Sequence, residues 1–164
     1  MSIRFFVRTA AMLLGASASM LILEPRSLGA AGEGMAVIVH PGTPIVNLSF
    51  VEMRRIFLGE RQYWTPDMPV VLIVRAPVAR ERQVVLNRIY RMTESQFKQY
   101  WIARIFRAEA TSTPKVVYSN QTINELVAAI PGAISLVRED DIQPGVKVVR
   151  IDGVLPGEAA YPLH

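Results

Sequence analysis

The chain has 164 residues, 51% hydrophobic and 20% charged, with a formal net charge of +4 and no cysteine. That is one domain's worth of chain with a globular rather than a disordered composition. It excludes a disulfide-braced scaffold and any thiolate-ligated metal or cysteine nucleophile; two histidines, His40 and the terminal His164, leave no basis for a histidine metal cluster or a catalytic triad.

Residues 1–31 read as a secretory signal. Arg4 and Arg8 form a positive start, Ala10 to Leu23 is an uncharged apolar run, and Gly29, Ala30 and Ala31 offer a cleavage site. The run is short for a membrane span, so contact with a membrane is expected only through an uncleaved signal. The predicted destination is periplasmic. Cleavage removes three arginines and one glutamate, which takes away two of the four net positive charges. What stays is too weakly basic, and too scattered, for a nucleic-acid partner.

From residue 32 to 153, short β-branched runs alternate with amphipathic helical stretches, the pattern of an α/β layer fold with an open mixed sheet and flanking helices. Met35 to His40 predicts a buried strand, closed by the turn Pro41-Gly42-Thr43-Pro44. Ser49 and Glu52 form a capping box for a helix with Phe50, Met53, Ile56 and Phe57 on its apolar side, and Gly59 ends it. A polar loop follows to Pro69, carrying Tyr63 and Trp64. Val70 to Val74 predicts a central strand. Ala79 to Met92 predicts one helix with Val85, Ile89 and Met92 inward, and Thr93 with Gln96 caps another that runs through Arg107. Lys115 to Tyr118 is a further strand, and Ser119 caps a helix to Ile130. Pro131-Gly132 turns the chain into Ala133 to Val137, and Val146 to Ile151 closes the series. Residues 154–164 are expected to form a loose tail.

Several of these segments, in order, resemble the phosphate-type periplasmic substrate-binding proteins of ABC transporters. Leu48-Ser49-Phe50-Val51-Glu52-Met53-Arg54-Arg55-Ile56-Phe57-Leu58-Gly59, with Trp64 beyond it, is similar to that family's "LS..EL..IF.G....W" segment. Tyr100-Trp101 with Ile105-Phe106 is similar to its "YW...F" helix, and Pro131-Gly132-Ala133-Ile134 to its "PGAIGY" turn. The resemblance runs from about Met35 to Gly153. It implies a type II periplasmic-binding-protein architecture, but only about one of the two lobes that close on an anion. The family's early glycine- and serine-rich anion loop has no counterpart here.

The resemblance also points to a candidate site. Arg75 ends a predicted strand, at the sheet edge where open α/β folds take ligands, and a guanidinium fork suits an oxyanion. In the family such an arginine is followed four residues later by Ser-Gly-Thr; here those positions are Ala79, Arg80 and Glu81. Arg80 and Arg82 are candidates to offset the Glu81 charge. Ser119 and Asn120, at the next strand-to-helix junction, and Thr43, in the first turn, complete the candidate ligand-binding set. Each has a plainer reading as well: solvated charge for the arginines, first-turn stabilisation for Glu81, capping for Ser119, turn chemistry for Thr43. Two functions follow. One is an exported, non-enzymatic binding protein for phosphate or another small oxyanion, working with an ABC permease and using no cofactor. The other is a binding-protein fold without a ligand that acts by protein–protein contact or sensing in the envelope.

Overall fold

A computed structural model describes residues 34–164; the signal segment expected over 1–31 lies outside the described residues. In chain order the elements are β1 (Met35–Val39), β2 (Asn47–Leu48), α1 (Phe50–Phe57), β3 (Tyr63–Thr65), β4 (Met68–Pro69), β5 (Val71–Arg75) and α2 (Arg80–Val84). A π-helical turn (Val85–Tyr90) leads to α3 (Glu94–Phe106), β6 (Lys115–Val117), α4 (Asn120–Ala129), β7 (Ala133–Arg138), a 3₁₀ turn (Glu139–Asp141), β8 (Lys147–Val148) and β9 (Arg150–Ile151). No helix among the described residues is long and apolar enough to cross a membrane.

The expected mixed sheet is present, five strands in the order β6-β5-β7-β1-β8. β5 runs parallel to both β6 and β7, whereas β1 runs antiparallel to β7 and β8. Strand side chains alternate between faces, and the core divides accordingly. Met35, Val37, Val39, Leu72, Val74, Ile134 and Leu136 pack with α1, the π turn and α3. Ala36, Ile38, Ile73, Ala133 and Val137 pack under Ile123 and Val127 of α4. A sheet covered on both faces needs near-continuous apolar strands, which is why β1 is wholly buried.

The helix starts follow their caps: Ser49 with Glu52 and Thr93 with Gln96 each form both bonds of a capping box, and Ser119 Oγ accepts from the Thr122 amide. Elsewhere the structure corrects the sequence. The stretch after Gly59 is no open polar loop, because β3 and β4 pair there and Trp64 is buried with its indole N–H donating to the Gly132 carbonyl at 2.8 Å. Gly132 is needed at that turn: its φ is 80°, and a Cβ would stand 2.0 Å from the Pro69 carbonyl oxygen. The helix expected over Ala79 to Met92 begins as α2 and widens into the π turn before Arg91 ends it in the left-handed region. Within the wider turn the adjacent Ile89 and Tyr90 both enter the core.

The last expected strand is split. Val149 is buried between β8, which pairs with β1, and β9, which runs parallel to β2. The tail expected to be loose is docked instead. β8 reaches only Ile38 and Val39 of β1, so the other half of a buried strand must find partners elsewhere. The tail supplies them: Met35 N–H donates to the Leu163 carbonyl at 3.2 Å and Val37 N–H to the Tyr161 hydroxyl at 3.3 Å. Tyr161 and Leu163 are buried as a result.

Candidate functional site

Because β5, β6 and β7 are parallel, their carboxyl ends share one edge of the sheet and bring Arg75, Tyr118-Ser119 and Arg138 to it. Arg75, half-buried there, donates from Nη1 to the Val117 carbonyl at 3.4 Å. Its Nε lies 3.6 Å from Glu81 Oε2, close enough for an ion pair but too long for a hydrogen bond. The Glu81 side chain is only 5% exposed. Its other oxygen accepts from Asn120 Nδ2 at the head of α4.

Asn120 continues the chain of contacts. The same Nδ2 donates to Asp141 Oδ2 at 2.7 Å, and Arg138 Nε stands 3.1 Å from that oxygen. Asn124 ties the 3₁₀ turn to α4 as well, donating to the Asp141 carbonyl at 2.9 Å and accepting from the Gln143 amide at 3.0 Å. The outcome is a network, Arg75–Glu81–Asn120–Asp141–Arg138, in which two carboxylates flank Asn120 and an arginine stands at each end, drawn from β5, α2, α4, the end of β7 and the 3₁₀ turn. Three of its buried polar atoms, Arg75 Nε, Asn120 Oδ1 and Arg138 Nε, have no hydrogen-bond partner among the described residues.

The other predicted residues go elsewhere. Arg82 faces α3, where its guanidinium makes two bonds to Glu94, from Nε at 3.0 Å and from Nη2 at 2.8 Å, and lies 3.9 Å over the Phe97 ring. It is 3% exposed, so it is neither a solvated charge nor a residue of the edge. The bonds from Arg82 hold the Glu94 carboxyl below the usual carboxylate range, outweighing the opposing effect of its partial burial. Arg80 is exposed at the head of α2 and already engaged. Ser119 is occupied as a cap, bonded to the Thr122 amide at 3.0 Å. Thr43 stands at the opposite edge: β1 is antiparallel to β7, so the turn after Val39 lies beside Ala133, where β7 begins. There its carbonyl accepts from Lys147 Nζ.

Sequence reasoning thus brought Arg75 and Asn120 to one place and missed Arg138 and Asp141. Nothing in the local spacing of the acidic run Glu139-Asp140-Asp141 marks its third residue as a partner of Asn124 and Asn120, 17 and 21 residues earlier. Among the described residues no group of acidic and histidine side chains is arranged to hold a metal ion.

No family model matches the chain, and no curated protein sequence matches it. Solved structures do. One is described as a phosphate ABC transporter substrate-binding protein with bound phosphate from Clostridium perfringens, similar at a TM-score of 0.60 and 21% identity over 75% of this chain and 46% of that one. A second is an ABC-type phosphate transport receptor from Vibrio cholerae, at 0.60 and 18%, over 80% and 48%. A third is PstS from Borrelia burgdorferi, at 0.63 and 18%, over 80% and 54%. At such identities the likeness establishes the fold. The chain spans about half the length of each of these proteins.

Proposed function

We propose that the protein is an exported, non-enzymatic binding module with the architecture of one lobe of a phosphate-type substrate-binding protein, and that it acts in the envelope by contact with another protein rather than by holding free phosphate. The observation that carries this reading is the state of the sheet edge. Of the two donors placed where an open α/β fold takes an anion, Arg75 is ion-paired with the chain's own Glu81, and Asn120 is hydrogen-bonded to Glu81 and Asp141. A phosphate dianion at Arg75 would stand beside the buried Glu81 carboxylate, and like charges in a partly desolvated place repel strongly. The signal-like segment supports export to the periplasm.

A second reading, capture of a small oxyanion for an ABC permease, has one observation in its favour: Arg75 stands at the carboxyl edge of a fold shared with a phosphate-bound transport protein. Thermal melts of the protein without its signal segment separate the two. A folded-state site present at a hundredfold excess of ligand over Kd adds about 2.7 kcal/mol, which is several degrees of Tm for a domain of this size. The first reading expects no rise in phosphate or sulfate beyond that in sodium chloride of equal ionic strength. A rise specific to either anion, lost in Arg75→Ala, overturns it in favour of the second.

A further inference from the structure

Resting on the reading just given, we infer that the Glu81 carboxylate is a built-in ligand: the Arg75–Asn120 pair is a carboxylate site that the chain fills from its own α2, and without Glu81 it takes a small monocarboxylate from solution.

A single buried carboxylate bridges a guanidinium from the end of β5 and a side-chain amide from the start of α4. Arg75 lies six residues before Glu81, whereas Asn120 lies 39 residues beyond it and meets it only through the fold. A carboxylate sited merely to support its own helix would not need either of them. The fit is also incomplete. Arg75 Nε is buried without a hydrogen bond, because Glu81 approaches no closer than 3.6 Å. A desolvated donor left unpaired is costly, so an anion free of the α2 backbone has a contact to gain that Glu81 does not make.

The charge around the position selects the ligand. Asp141 Oδ2 shares Asn120 Nδ2 with Glu81, and the one arginine paired with it, Arg138, approaches it at 3.1 Å. One negative charge is therefore balanced at the vacated position, while a second meets repulsion from Asp141. A planar monoanion such as acetate or formate reproduces what Glu81 presents, and phosphate at neutral pH does not.

Chemical rescue tests this. Glu81→Ala and Glu81→Ser shorten the side chain and leave space; both are expected to melt lower than the parent in chloride. At about 100 mM acetate or formate their Tm should recover by roughly 3 °C relative to chloride of equal ionic strength, with less recovery in phosphate. The parent, with its site filled, should show no such response, and neither should Arg75→Ala combined with Glu81→Ala. Equal responses in parent and variant, or rescue that survives loss of Arg75, would overturn the inference. So would a variant that stays as unstable, or as unfolded, in acetate as in chloride. The outcome is independent of the phosphate melts on the parent protein: a parent that binds phosphate defeats the proposed function, whereas the difference between parent and Glu81 variants in acetate decides this point.

Discussion

Val78 shows what a single residue can carry. It has φ 69°, a conformation in which a β-branched side chain crowds its own backbone at a cost of about 1–2 kcal/mol. It is 92% exposed, so no packing repays that cost. Glycine takes this conformation freely but loses more freedom on folding. Val78→Gly should therefore raise stability by roughly 1 kcal/mol, read as a higher urea midpoint at unchanged m-value. An unchanged or lower midpoint would mean that the turn between β5 and α2 is not strained in solution. The same scale marks the limit of sequence reading at the site. Arg75 and Asn120 were legible because a strand end and a helix start have positional signatures. Their bonding to Glu81 and Asp141 was not, since it depends on how far α2 and the 3₁₀ turn lean over the edge, and no local spacing encodes that. Arg82 was misread for a related reason: an arginine on a helix looks solvent-facing until the neighbouring helix supplies both a carboxylate and a ring.

Among elements, that Arg82–Glu94–Phe97 contact joins α2 to α3 across the π turn. Glu94 is held below its ordinary titration range chiefly by the bonds from Arg82, so its pKa is lower folded than unfolded. Stability from this pair is then fully present above the unfolded carboxylate range, near pH 5 and higher, and is lost as pH falls through the folded value. Glu94→Gln should flatten that acid limb. At neutral pH it should also cost about 2 kcal/mol, since a nearly buried guanidinium loses its counter-charge. Urea melts between pH 3 and 7 check both effects, and an acid limb of unchanged slope in the variant would assign it to other carboxylates. The helix caps and strand cores were readable because each is a local pattern. The π turn was not: Val85, Ile89 and Met92 fit a regular helical repeat, and the turn's long-range contact, the Tyr90 hydroxyl donating to the Phe57 carbonyl, has no local signature.

For the whole molecule, the question is how a chain spanning about half of its structural neighbours closes its own sheet. β1 lies between β7 and a two-residue β8, which leaves the N–H groups of Met35 and Val37 to the tail. The tail therefore acts as a further edge element, and the Tyr161 ring and Leu163 extend the apolar layer under it. Tyr161→Phe keeps the ring but removes the acceptor for a buried N–H, a loss of about 1–3 kcal/mol. Burial also pushes the Tyr161 phenol up to about 12, outweighing the opposing bond from Val37. A raised folded pKa means that this stability is fully present below the ordinary phenol value near 10 and lost as pH rises towards 12. Alkaline melts should thus show a decline above pH 10 that is reduced in Tyr161→Phe. Removal of 154–164 should cost more than that substitution, since it strips the partner of Met35 as well and uncovers β1. A shortened chain as stable as the parent would show that β1 needs no cover from the tail, and that β8 alone suffices at that edge.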